Sequence, residues 1–157
     1  LNKSLLLLSK IDNGQFTETV ALELNELLKQ YMDDYKEVYA YRDIQTEIVE
    51  DGIFCVQMNE SLATILITNL LKNAFVHNID GGHIRIEITP HSFTFRNSGV
   101  GQPLDEERIF ERFYQGAKKE GSTGLGLAIV DSICRLQNIG LRYYFENGEH
   151  CFEISEK

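Results

Sequence analysis

From Glu60 to His77, Leu62, Ile65, Leu66, Leu70 and Ala74 recur at helical spacing, and the pattern predicts one helix over this stretch. At about 100° per residue, Asn69 and Asn73 fall on the same stripe as Leu62 and Leu66, the side that turns inward. Amides on an inward stripe are costly unless something hydrogen-bonds them, at roughly 1–3 kcal/mol per unsatisfied group. Either backbone groups of the core satisfy them, or a ligand does, such as a metal held by an amide oxygen. This helix alone leaves both open.

The remaining pattern is read in order. Leu5, Leu6, Leu7, Leu8 and Ile11 end at Asp12-Asn13-Gly14, the close of a helix with a glycine stop. It is apolar on nearly every side, which suits a helix that packs on a partner. Gln15 to Val20 alternates weakly and reads as a strand. Val20, Leu24, Leu27, Leu28, Tyr31, Tyr35, Val38 and Tyr39 predict a helix from about Leu22 to Tyr39. Gln45–Val49 and Ile53–Met58 read as two strands flanking a turn at Glu50-Asp51-Gly52.

Beyond the central helix, Ile84, Ile86 and Ile88 alternate with Arg85, Glu87 and Thr89, and Pro90-His91-Ser92 turns the chain into Phe93–Arg96 as a hairpin. Leu125, Ala128, Ile129, Ile133 and Leu136 mark another helix. Leu141–Phe145 and Cys151–Ile154 close the chain as a hairpin through Asn147-Gly148. The predicted class is α+β: a two-layer α/β sandwich, with a mixed, mostly antiparallel sheet of about five strands backed by three helices.

Composition narrows the functional classes. A chain of 157 residues, 43% hydrophobic and 25% charged, describes one ordinary globular domain. A net charge of −9 argues against a broad nucleic-acid surface, which depends on Lys and Arg. Cys55, Cys134 and Cys151 are odd in number and form no C-x-x-C, which fits reduced thiols in the cytosol better than a disulfide framework or zinc site. No apolar run approaches the ~20 residues needed to span a bilayer, so no direct membrane contact is expected. The chain opens within a helical pattern and without Met, which leads to the expectation of a piece of a longer protein.

Chemistry is expected in the irregular, glycine-punctuated middle, because a long loop inside a small domain needs a reason. Asn97-Ser98-Gly99-Val100-Gly101 has glycines at alternating positions, which let backbone approach a flat ligand; it is equally a two-glycine turn. Gly121-Ser122-Thr123-Gly124-Leu125-Gly126-Leu127 runs straight into a helix, whose free N–H groups can meet an anion. Between them, Ile109-Phe110-Glu111-Arg112-Phe113-Tyr114 precedes Lys118 and Lys119. It reads as an aromatic box or as a short amphipathic anchor.

N-L-L-K-N-A-x-x-H, N-S-G-V-G, I-F-E-R-F-Y and G-S-T-G-L-G-L-A-I-V occur in this order and at these separations. That set resembles the catalytic ATP-binding domain of bacterial sensor histidine kinases, of the GHKL ATPase superfamily (HATPase_c type). The resemblance covers about Gln15 to Ser155. It implies that residues 1–14 end the second dimerisation helix, and that residues 15–157 form the catalytic domain. It implies ATP and Mg²⁺ as cofactors. It further implies that the phosphoacceptor histidine lies on upstream helices of the same kinase and that the phosphoryl group passes to a response regulator receiver domain, in the cytoplasmic part of a sensor.

By the same resemblance, Asn73 coordinates Mg²⁺, with Asn69 beside it and His77 at the phosphate end of the helix. Asn97, Gly99 and Gly101 border the adenine. Thr123, Gly124, Leu125 and Gly126 meet the phosphates at the helix start. Phe110 and Phe113 anchor a lid of roughly Gln102 to Thr123 that carries Lys118. Family members that hydrolyse ATP place a glutamate at the position of Asn69, which cannot act as a base at neutral pH; its absence fits phosphoryl transfer, which needs mainly positioning and charge neutralisation.

Three positions depart from the family pattern: Asn97 replaces an Asp, Val76 a Lys, and Gln115 an Arg near the γ-phosphate, for which Arg112, Lys118 or Lys119 can compensate. Those losses keep a degenerate nucleotide-binding or docking module in view. A GHKL anti-sigma-type serine kinase is a further alternative, disfavoured by the aromatic box.

Overall fold

The computed structural model describes residues 3–99, 101–112, 114 and 125–157. Five strands form the main sheet: β2 (Gln45–Glu50), β4 (His83–Ile88), β5 (Ser92–Asn97), β7 (Glu149–Glu156) and β6 (Ile139–Glu146), in that spatial order. β2 runs parallel to β4, and the other pairs are antiparallel. One face is apolar because strand residues alternate sides: Ile84, Ile86 and Ile88 stand beside Phe95, Phe93 and their β7 partners Phe152 and Ile154. Helices cover that face, giving the expected α+β two-layer sandwich.

The helical layer comprises α2 (Leu24–Val38), α3 (Glu60–Val76) and α4 (Gly126–Leu136), and also α1 (Lys3–Asp12). The pattern at the chain start was expected to await a partner helix. In the structure α1 packs against α4, burying Leu8 and Ile11 in the common core, while Leu5 and Leu6 stay 38% and 42% exposed. Asn59 starts α3 by accepting the Leu62 N–H on its side-chain oxygen at 3.1 Å. Stacked rings of Tyr35, Tyr39 and Phe75 hold α2 onto α3, with the Tyr39–Phe75 centroids 5.2 Å apart.

Two strands flank Glu50-Asp51-Gly52 as expected, but they do not pair with each other. β2 belongs to the main sheet, whereas β3 (Cys55–Met58) pairs with β1 (Val20–Glu23) in a separate two-stranded sheet. Asn25, 2% exposed at the start of α2, enforces the parting: it donates to the Gly52 carbonyl and to Glu50, each at 3.0 Å, and accepts the Phe54 N–H at 2.9 Å. The early strand is therefore Val20–Glu23 rather than Gln15–Val20, and Leu22 belongs to it rather than to the helix.

The three thiols differ in environment. Cys55 is exposed; Cys134 and Cys151 are buried, and burial pushes their thiols up to about 12 and about 11. Titrating the native protein with a thiol reagent at pH 8 should modify one cysteine, and all three after unfolding. Rapid reaction of two or more in the native state would contradict the buried placement.

Candidate functional site

Asn69, Asn73 and His77 follow one another at steps of four along α3 and its cap, so they share a stripe. Both asparagines are half-buried rather than inside the core. The buried face is Leu62, Ala63, Leu66, Ile67, Leu70, Leu71, Ala74 and Phe75, and the amides border it. Asn69 uses its Nδ2 on the Ile65 carbonyl at 2.8 Å, and its Oδ1 lies toward Gly126. A Cβ added at Gly126 would lie 3.2 Å from that oxygen, so the start of α4 abuts Asn69. At the other end of the stripe, a Cβ on Gly99 would lie 2.9 Å from the His77 carbonyl. Two glycine segments far apart in sequence thus flank one helix stripe.

A buried amide network fixes this junction. Asn78, fully buried, donates to the carbonyls of Ala74 and His83 at 3.0 and 3.1 Å; its Oδ1 accepts the Ile79 N–H at 2.8 Å and the Ser98 hydroxyl at 2.6 Å. All its hydrogen-bonding capacity is used inside the protein. Gly82 is required here, since a Cβ would sit 2.2 Å from Asn78 Oδ1 and 2.3 Å from Ser98 Oγ. The guanidinium of Arg42 caps the last turn of α3, donating to the carbonyls of Phe75, Val76 and Asn78, with Nε on Asp80.

Asn97 ends β5 and is 2% exposed. Its Nδ2 donates to the Ser98 carbonyl at 2.8 Å, but its Oδ1 is buried with no hydrogen-bond partner among the described residues. Exchanging the two amide atoms would set oxygen against the Ser98 carbonyl, so the orientation is determined by the network. An orphaned buried acceptor costs roughly 1–3 kcal/mol and calls for a donor from outside. The exocyclic amino group of adenine is such a donor, and this observation is where the residues fit a nucleotide.

The other predicted residues are placed as follows. Leu125 is buried at the N-cap of α4, and Gly126 is the first residue of the helix. Gly101 has open space where a side chain would be, while the space beside Gly99 is filled by His77 and His150. Phe110 rests edge-on against Phe152 at 6.2 Å, and Ile109 is buried beside it, so this part of the aromatic box is an anchor. Arg112, offered as a cation for the γ-phosphate, instead pairs with Asp12 of α1 at 2.7 Å. Phe113, Lys118, Thr123 and Gly124 lie outside the described residues, as do Gln115 and Lys119.

Sequence reasoning passed over Asn78, Arg42, Tyr143 and His150. The last was within reach: running the alternation back from Ile154 and Phe152 puts His150 on the core face, directly opposite Asn97.

Residues 58–155 match the family described as histidine kinase-, DNA gyrase B-, and HSP90-like ATPases. The heme sensor protein HssS of Staphylococcus saprophyticus is 33% identical over 150 residues, covering 88% of this chain and 31% of that protein. The sensor histidine kinase RppB of a Synechocystis species is 33% identical over 141 residues, covering 82% and 31%. Among solved structures, the catalytic domain of histidine kinase ThkA superposes with a TM-score of 0.76 at 23% identity, covering 88% of this chain and 94% of that one. ThkA bound to the response regulator protein TrrA gives 0.70 at 21% identity, with 98% and 47% covered. The chain belongs to this ATPase family, as the ATP-binding catalytic domain of a sensor histidine kinase, and spans about a third of the length of these curated relatives. Among the described residues, no helix is long and apolar enough to cross a membrane.

Proposed function

We propose that this domain transfers the γ-phosphoryl group of Mg-ATP to a histidine on upstream dimerisation helices of the same kinase, for relay to a response regulator receiver domain. In this reading residues 1–14 end the second of those helices, residues 15–157 are the catalytic unit, and both work in the cytoplasm. The orphaned Asn97 Oδ1 carries the reading, because it supplies an acceptor for adenine at one end of the Asn69–Asn73–His77 stripe while Gly126 stands at the other. Bound Mg-ATP would supply the transferable phosphoryl group and an ion that neutralises its charge.

The roles of the chain's own residues follow from their chemistry. Asn97 accepts a hydrogen bond from the base. Asn73 offers an amide oxygen to the metal. The start of α4, at Leu125 and Gly126, meets phosphate oxygens with backbone N–H groups, as the positive end of a helix dipole favours. Asn69 cannot abstract a proton from water, so hydrolysis is disfavoured against transfer. His77 and the Gly99–Gly101 loop border the nucleotide, Thr123 and Gly124 meet the phosphates with the helix start, and Phe110, Phe113 and Lys118 are assigned to the lid. The partner bound by ThkA, a response regulator, is the kind proposed here.

Incubating the domain with its upstream helical segment and labelled ATP tests the transfer. The label should be lost in acid, as phosphohistidine is; an acid-stable label would point to serine. A second reading, a docking module with faded activity, is favoured by Arg112 being engaged by Asp12 rather than free for phosphate. Absence of calorimetric binding at millimolar Mg-ATP would select it.

Asn97→Asp separates stability from binding. A carboxylate there faces the Ser98 carbonyl and loses the 2.8 Å bond, so the free protein should lose about 1–3 kcal/mol. Nucleotide affinity should be kept or rise, since the hydrogen bond to adenine becomes charge-assisted. Denaturant unfolding with and without Mg-ATP reads both, and a large loss of affinity would mean that Asn97 does not meet the base.

A further inference from the structure

The core-facing row of β7 runs Ile154, Phe152, His150, and at its last position the apolar pattern breaks. His150 is 5% exposed and stands directly across from Asn97, on the same face of the sheet. On its other side it faces Phe145 of β6, ring centroids 5.0 Å apart. Its Nδ1 lies 2.7 Å from the hydroxyl of Tyr143, itself 5% exposed. That hydroxyl also accepts the backbone N–H of Leu104 at 3.0 Å. The arrangement is chemically complete, since a phenolic oxygen can accept from Leu104 and share its one proton with the imidazole. The His150 ring closes against the Gly99 loop: a Cβ at Gly99 would lie 3.0 Å from Cδ2 and 3.4 Å from Nε2. A leucine or phenylalanine would continue the row without desolvating an imidazole, so packing alone does not explain this residue.

We propose that Tyr143 and His150 are a positioning pair for the nucleotide site: together they tie the segment at Leu104 and the Gly99 loop to the Asn97 end of the sheet, and thereby set the affinity for ATP. This rests on the nucleotide reading of Asn97. Neither side chain is asked to touch the ligand. Through the Tyr143 hydroxyl, the chain that leaves β5 after Asn97 is held where it returns across β6 at Leu104. The His150 ring fills the space under Gly99, so the loop between these two points has both ends fixed before ATP arrives. A site organised beforehand does not have to order that loop on binding.

The test uses the whole 157-residue chain, with calorimetry against Mg-ATP, thermal unfolding, and amide hydrogen exchange at Leu104. Tyr143→Phe removes one oxygen and keeps the ring. His150→Leu keeps bulk and removes the nitrogen, and His150→Asn restores a polar group near the Nδ1 position. Tyr143→Phe and His150→Leu should each weaken ATP binding about tenfold, with His150→Asn within about threefold of the parent. Leu104 exchange should accelerate in Tyr143→Phe. A merely structural role would lower the unfolding temperature of the variants while leaving affinity, measured well below it, unchanged; that result overturns the proposal. Should His150→Leu fail to fold, Tyr143→Phe decides. Unchanged Leu104 exchange in Tyr143→Phe sinks the pair by itself, whereas a parent protein blind to millimolar Mg-ATP sinks the nucleotide reading of Asn97 and the affinity claim with it.

Discussion

On the proposed function, replacing Asn73 by alanine should abolish Mg-ATP-dependent phosphoryl transfer in the full-length kinase, by more than about a hundredfold, while the domain stays folded. The expectation has two independent halves. Chemically, the proposed function makes the Asn73 amide oxygen the metal's protein ligand, and alanine offers none. Losing the ion leaves the charge of the triphosphate uncompensated where charge neutralisation is most of catalysis. Structurally, Asn73 is half-buried at the border of the helix's core face, and its side chain makes no hydrogen bond among the described residues. Alanine is also the better helix former, by several tenths of a kcal/mol, so the unfolding temperature should hold or rise slightly. Transfer assayed with labelled ATP, beside a thermal melt, reads both halves. A variant keeping a tenth or more of parental transfer would remove Asn73 from the metal.

The layers and most elements were legible because their signals are periodic and local. Ile84, Ile86 and Ile88 alternate whatever surrounds them, and α2 and α4 each carry a clear apolar stripe. Strand pairing was less legible, for a physical reason. Glu50-Asp51-Gly52 has turn chemistry, but the partner of a strand is chosen by burial and by remote side chains, and here Asn25 pulls the turn open from α2. The site shows the same division. Asn69, Asn73 and Gly126 could be named from motif order, yet their convergence depends on how α3 meets α4. Asn78 could not be told from a solvated helix end, because its value lies in four partners contributed by Ala74, Ile79, His83 and Ser98. The reading of Gly99 also changes in kind. Its missing side chain makes room for His77 and His150, within the protein, whereas Gly101 borders open space.

Gly126→Val should cost the domain most of its nucleotide affinity, about ten- to a hundredfold or more, as one or two charge-assisted hydrogen bonds to phosphate are lost. The reason is position rather than backbone freedom. Gly126 opens α4 directly after the buried Leu125, and it faces Asn69 across a gap with little slack. A first carbon there already comes within 3.2 Å of Asn69 Oδ1. Alanine needs the amide to give by a few tenths of an ångström, which a half-buried side chain can do. Valine adds two more carbons, which must either push Asn69 aside or stand over the N–H groups that phosphate would use. The graded pair therefore separates crowding from a general defect of the helix. Gly126→Ala should retain binding within about fivefold and gain slightly in stability, since alanine is favoured over glycine in a helix by up to ~1 kcal/mol. Gly126→Val should bind weakly yet unfold at close to the parental temperature. If valine left Mg-ATP affinity untouched in calorimetry, phosphate would have to be held elsewhere, and the α4 start would be a loop-to-helix turn and nothing more.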